Sequence, residues 1–333
     1  MVRKYVNIFV SYIFPLIVIA YILYKVTPER IIHTLREVTF VWLLIGFSLY
    51  VINYFFRSLR FKTLIHSKNI GLKDIFQVSC FHSMYNYILP ARTGEFSYVY
   101  YLKRITNTPV IEGLSTLLVA RLLDLITVFL FLPLVLFFLR QRISDDFIQL
   151  AVIFAGTVLF ISMFFFYFVV SGQRTMKICD RCLRKFDFAR LSIWKRFREK
   201  LGEFHNSFVM IHKKRIYSRV FIFTLLVWLS VYGHFYFIIR ALRVEINFWQ
   251  VILLLMIMVP TRLLPVQGIG NLGTHEIGWV IAFRIFQFQQ DEALLVAFNS
   301  HIILFIYVII LGGYAILSTR DTFRKEDHVT VQS

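Results

Sequence analysis

The chain has 333 residues, is 58% hydrophobic with a mean hydropathy of +0.67, and carries a net charge of +18. A soluble globular domain is usually about 45–50% apolar, whereas this chain contains several runs of roughly 18 or more apolar residues, which point to an all-α polytopic membrane protein. No polar stretch exceeds about fifty residues, which excludes a nucleotide-binding domain with a core of its own.

In a membrane protein the basic excess is first a topology signal, because Lys and Arg collect in cytoplasmic loops. It calls for no nucleic-acid partner. A share of it would attract anionic lipid head groups, at about 1 kcal/mol per well-placed residue. Cys179 and Cys182 form a single CxxC, which falls short of a four-ligand zinc site. No Walker A or HExxH pattern occurs, so neither metal, cofactor nor direct ATP drive is expected.

Residues 6–24 are apolar around Pro15 and read as a retained first helix, since the run ends Ala20-Tyr21-Ile22-Leu23-Tyr24-Lys25 and not at a small-residue cleavage site. A short polar loop over 25–37 leads to a second helix, 39–56, ending at Arg57. The loop 57–73 holds Arg57, Arg60, Lys62, Lys68 and Lys73 before Asp74 and is expected to be cytoplasmic, together with the N-terminus.

Residues 75–89 are apolar but carry Ser79, His82, Ser83 and Asn86; His82 and Asn86, four apart, share a helix face. At about 1.5 Å per residue this helix reaches roughly 22 Å, short of a core about 30 Å thick. Pro90 stops it, and 93–104 is expected to return as a short helix ending in Lys103-Arg104. The pair reads as a re-entrant hairpin dipping in from the cytoplasm; a full span with an interfacial end is the other reading.

The next span, 112–139, contains Arg121 and Asp124, three apart on one face. A charge deep in the bilayer costs about 2.5–3.5 kcal/mol, so the two must face protein or water. Either they neutralise each other or they partner Arg92 and Glu95 at the hairpin tip. Residues 140–146, with Asp145 and Asp146, form an outer loop, and the Phe-rich run 147–170 is a lipid-facing helix. Segment 171–219 holds 14 Lys/Arg against 4 Asp/Glu. In it Trp194, Phe197, Leu201, Phe204 and Phe208 make an amphipathic pattern suited to the inner membrane surface.

Helix 220–240 carries His234, and a short loop with Arg240, Arg243 and Glu245 follows. Helix 249–264 has Arg262 near its end. A glycine-rich break, 265–276, precedes a short helix over 275–288, and a last span, 292–317, begins with Asn299, Ser300 and His301 in its first turns. The tail, 319–333, is expected to be disordered. The result is one transmembrane domain, 1–318, of about six full spans plus two broken-helix hairpins. Its halves, about 1–140 and 147–318, each contain two spans, a hairpin and a span in opposite orientation. That is the plan of an inverted-topology repeat, which places binding sites near the midplane at broken helices.

Pro90 and Pro265 remove an N–H and end their helices. Gly94, Gly268, Gly270 and Gly273 allow tight turns and close approach. Return-helix N-termini suit a phosphate, and Arg92 could add a bidentate contact. Glu95 and Glu276 could accept from an Arg, a head-group amine or a proton; alternatively the breaks are packing devices and Glu276 caps its helix. The candidate pathway is Asn86, Pro90, Arg92, Gly94, Glu95, Arg121, Asp124, Arg262, Pro265, Gly268, Gly270 and Glu276.

Three motifs in order, Asn86…Leu89-Pro90-x-Arg92-x-Gly94-Glu95, Ala120-Arg121…Asp124 and Pro265…Gly268-x-Gly270…Glu276, resemble the transmembrane region of lysylphosphatidylglycerol synthases, a flippase-like group with many stand-alone members. The resemblance covers roughly residues 10–317. It implies translocation of an aminoacyl phospholipid. In bifunctional members a separate C-terminal domain makes that lipid; here the chain ends about sixteen residues after its last helix, so a stand-alone protein without synthase activity is expected. The cargo then need not be the lysyl lipid: an anionic or aminoacylated phospholipid and a polyprenyl-linked lipid all fit, moved downhill or with protons. The expected location is the plasma membrane, with both termini cytoplasmic. The alternative is a membrane enzyme or accessory subunit of lipid or polyprenyl-linked glycan synthesis, with Asp145-Asp146 as its acidic pair. A homo-oligomer or a lipid-synthesis partner fits either reading.

Overall fold

The computed structural model describes residues 13–66, 70–90, 93–170, 216–263 and 269–330, and among them every regular element is helical. Helix α1, Phe14–Lys25, starts with Pro15 in its first turn, where a missing N–H costs nothing. The expected loop 25–37 is instead a second helix, α2, Pro28–Arg36. Its start signals are local: Thr27 Oγ1 accepts from the Arg30 N–H at 3.5 Å, Pro28 opens the first turn, and Glu29 stands beside the positive helix end.

Helix α3 spans Phe40–Leu64. It was expected to end at Arg57, but no proline interrupts 40–64, and Arg60 stays helical by turning inward, 2% exposed, to meet Asp124. Helices α4, Leu72–Ile88, and α5, Glu95–Thr106, form the first hairpin. A Cβ at Gly94 would lie 2.3 Å from Cα and N of Asn86, so the two limbs touch backbone to backbone at the tip. Asn107, with φ 55°, closes α5 in the left-handed region.

Helices α6, Val110–Leu130, and α7, Leu132–Leu139, form one span with a break at Phe131, where Pro133 follows. Helix α8, Asp145–Val170, takes the expected loop residues Asp145 and Asp146 into its first turn, where acidic groups suit the dipole. Most of its outward positions are exposed, among them Val152, Ile153, Phe160 and Phe164, as a lipid-facing helix requires. Helix α9 is Tyr217–Ala241, α10 is Phe248–Leu263, α11 is Thr274–Arg284 and α12 is Gln290–Thr330. Helix α12 runs on through residues 319–330, since no Gly or Pro after Gly313 stops it.

Among the described residues five helices are long and apolar enough to cross a membrane: 40–64, 110–142, 145–164, 217–241 and 290–320. The sixth expected span is represented there by Pro15–Lys25 alone. At the centre α3 packs along α9. The Gly46 and Gly233 positions let the two approach, and Asn53 Nδ2 donates to Val227 O at 2.8 Å and to Ser230 Oγ at 3.2 Å. Helix α4 packs against α12, with Met84 seated over Gly312 and Gln77 Nε2 bonded to Ser318 Oγ at 2.9 Å. In the second hairpin, α10 and α11, helix α11 lies against α12, and the turn at Ile269–Asn271 touches α4. The two hairpins therefore meet inside the bundle. The basic segment 171–215 with Cys179 and Cys182 lies outside the described residues, as do Arg92, Pro265, Gly268 and the side chain of Arg262.

Candidate functional site

A polar residue in an apolar span is costly unless it faces protein or water. Helix α3 carries four at helical spacing, Tyr50, Asn53, Tyr54 and Arg57, and α4 adds His82, Ser83 and Asn86 on one face. These two stripes face one cavity of about 200 Å³. Glu95 from α5, Arg121 from α6 and His234 from α9 complete its first side, and Asn271, Thr274 and His275 bring the second hairpin to it. Tyr87, Val231, Phe235, Met258, Leu304 and Val308 supply the apolar remainder.

Glu95 opens α5 just beyond Gly94, so the tip geometry sets its position. Arg121 Nη2 donates to Glu95 Oε1 at 2.5 Å, and His82 Nε2 lies 3.8 Å from the other carboxylate oxygen. Arg121 Nη1 is also 3.7 Å from Asp124. Asp124 Oδ1 accepts from Arg60 Nη1 at 2.5 Å and from Trp228 Nε1 at 3.1 Å. The outcome is a chain of alternating charge, Arg60–Asp124–Arg121–Glu95, that ties α3, α6 and α5 together. Both expectations for Arg121 hold in part: it keeps Asp124 near and binds the hairpin glutamate more closely. Asp124 sits behind Arg121 and does not line the cavity.

The second hairpin repeats the device with other chemistry. Gly270 and Gly273 take φ of 67° and 89°, conformations that side-chain-bearing residues rarely adopt. Glu276 Oε2 accepts the Gly273 N–H at 2.7 Å, which is the helix-cap role. Its other oxygen bonds Nδ1 of His301, whose Nε2 meets the Gly270 carbonyl at 2.7 Å. Both ring nitrogens face oxygens, so a proton must be held between His301 and Glu276 for every contact to be a hydrogen bond. Each hairpin glutamate is thus held by a base in the following span, 26 residues on for Glu95 and 25 for Glu276. Glu276 is wholly buried and does not line the cavity; its neighbour His275 does, with its ring 4.5 Å from that of His301.

Of the candidate pathway residues, Asn86, Glu95 and Arg121 face the cavity. Pro90 and Gly94 shape the first tip, and Gly270 and Glu276 hold the second. Tyr50, Asn53, Tyr54, Arg57, Ser83, His234, Asn271, Thr274 and His275 were not singled out as pathway residues. For α3 the signal was available in the three-and-four spacing of 50, 53, 54 and 57 within an apolar helix. Several cavity groups have buried atoms with no hydrogen-bond partner: Arg57 Nε, His82 Nδ1, Asn86 Oδ1 and Asn271 Oδ1. Asp145, half of the acidic pair, is bound to Arg140 at 2.7 Å and lines no part of the cavity.

Residues 6–312 match the family model of the lysylphosphatidylglycerol synthase TM region. The chain belongs to this family. Among its curated relatives, a UPF0104 membrane protein of Pyrococcus horikoshii is 24% identical over 88% of the chain and 91% of its own length. A UPF0104 membrane protein of Methanocaldococcus jannaschii is 21% identical, with 97% of each chain covered. No solved structure matches. The chain is accordingly a multi-pass, all-α integral membrane protein.

Proposed function

We propose that the chain is a lipid translocator, passing a polar head group between leaflets through the cavity where the two hairpins meet while the acyl chains stay in the bilayer. The observation that carries this reading is the cavity itself: a polar pocket with unpartnered buried atoms, built from both broken hairpins, in a bundle of apolar spans. Polar atoms left without partners in low dielectric are costly, about 1–3 kcal/mol each, and a head group would relieve that cost. A space of about 200 Å³ lined by polar side chains suits a polar head group, with the acyl chains outside it in the bilayer. The paired glutamate–base clasps, one per half, support the inverted-repeat plan in which such a site sits between leaflets. Cargo would be a phospholipid or lipid-linked head group, and the basic loop bias favours cytoplasmic termini in the cell membrane.

Purified protein in vesicles containing fluorescent anionic, zwitterionic and aminoacylated phospholipids tests this. An impermeant quencher should reach about half of the label in protein-free vesicles and nearly all of it with the wild type, the outer leaflet being about half of the lipid. Folded Glu95→Gln should fall towards the protein-free level. Quenching by the wild type no greater than in protein-free vesicles, for every lipid, would refute the reading.

A further inference from the structure

Among the described residues the cavity walls present two guanidinium groups, Arg57 and Arg121, and Arg121 alone has a carboxylate partner. Arg121 is committed to Glu95 at 2.5 Å, with Asp124 at 3.7 Å. Arg60, one turn further along α3 than Arg57, is committed to Asp124. Arg57 lines the cavity and has no carboxylate partner among the described residues; its Nε is buried without a hydrogen bond, and its guanidinium stands 5.2 Å from the centroid of the Tyr54 ring. Among the described lining residues, Arg57, Arg121 and Glu95 sum to one formal positive charge. A half-buried cation without a counter-ion is unfavourable in a membrane bundle. A guanidinium held over an aromatic face, with its fork still open, matches a phosphate in charge and shape.

We propose that Arg57 is the anion ligand of the cavity, binding the phosphate of a lipid head group, with Tyr54 backing the guanidinium. The inference rests on the translocator reading and names its substrate class: the lipid must carry a phosphate. Asn86 Oδ1 and Asn271 Oδ1, both without partners, would accept from a hydroxyl or amine elsewhere on the same head group. Glu95 is already engaged by Arg121, so the carboxylate does not cancel the Arg57 charge.

The test is lipid retention by the full-length protein, measured by native mass spectrometry against three lipids with the same tails: phosphatidylglycerol, phosphatidylcholine and diacylglycerol, which lacks the phosphate. The wild type should retain both phospholipids and release diacylglycerol. Arg57→Gln should lower phospholipid retention about tenfold or more, and Arg57→Lys, which keeps the charge but not the fork, should fall between. Equal retention of diacylglycerol by the wild type, or retention by folded Arg57→Gln equal to wild type, overturns the proposal. If Arg57→Gln does not fold, Arg57→Lys and the lipid series decide it. Titration with inorganic phosphate separates the sources: binding of phosphate through Arg57 with no retained phospholipid would assign the site to a soluble anion and overturn the lipid assignment. The leaflet-transfer assay keeps the two claims apart. Equal transfer by Arg57→Gln and wild type sinks the Arg57 role and leaves the translocator standing. Arg57-dependent retention without transfer does the reverse.

Discussion

Gly94→Ala is the substitution whose effect the structure determines most closely. Gly94 has φ −62° and ψ −20°, a right-handed conformation that alanine adopts freely, so no backbone strain is expected. The obstacle is space. The added Cβ would stand 2.3 Å from Cα and N of Asn86 and 2.4 Å from the carbonyl carbon of Tyr85, all of them backbone atoms that cannot rotate aside. Restoring ordinary contact at 3.4 Å or more requires the limbs to part by a little over 1 Å. Overpacking of this kind costs about 1–3 kcal/mol. Glu95 is the next residue, and a shift of that size would stretch its 2.5 Å contact with Arg121 beyond hydrogen-bond range. Gly94→Ala should therefore lower the melting temperature of the purified protein and also impair lipid transfer. Gly313→Ala is the matched control: a Cβ there meets nothing within 4 Å, and in a helix the change should be neutral or stabilising by up to about 1 kcal/mol. Thermal unfolding followed by tryptophan fluorescence compares them directly. Wild-type melting by Gly94→Ala, or an equal loss by both variants, would refute the argument.

Two further predictions concern the buried polar ties. Arg60→Ala leaves Asp124 without its closest partner and should destabilise by about 3–5 kcal/mol, whereas the double variant Arg60→Met, Asp124→Leu should recover much of that loss; a double variant no better than Arg60→Ala in denaturant melts would show that the pair is not a unit. Glu276→Gln keeps an acceptor for the Gly273 N–H and should retain most of the stability, while Glu276→Ala loses both the cap and the His301 contact at a cost of about 1–3 kcal/mol; similar melting of the two would count against the cap geometry.

Much of the helix plan was legible because its signals are local. Pro90 and Gly94 mark the first hairpin, Pro265 and the glycines after it mark the second, and the limbs fall within a few residues of expectation: 75–89 against Leu72–Ile88, and 249–264 against Phe248–Leu263. The failures are of two kinds. Residues Pro28–Arg36 carry start signals beneath a polar composition that reads as a loop, and Arg57, a basic residue after an apolar run, reads as a helix end although α3 continues to Leu64. Arg60 shows why that rule fails: a charge remains in a helix when a distant carboxylate, 64 positions on, neutralises it. The site was read only partly for the same reason. Glu95 and Arg121 were paired as one of two open options, but the choice between cavity wall and buried anchor for Glu276 depended on His301 and Gly270, and their approach is set by how α11 packs on α12. Non-local packing of this sort leaves no periodic trace in one chain.

The central claim is that lipid passes where the two hairpins meet. Cysteines placed at Ser83 and Thr274, one on each hairpin, with Cys80, Cys179 and Cys182 replaced by alanine, allow a short bismaleimide to tie the two cavity walls together. Transfer of fluorescent phospholipid in vesicles should proceed in the untreated double variant and stop after cross-linking, and it should fall less when either single cysteine carries the same reagent, which enters the cavity without tying its walls. Unchanged transfer through the cross-linked protein would contradict the account.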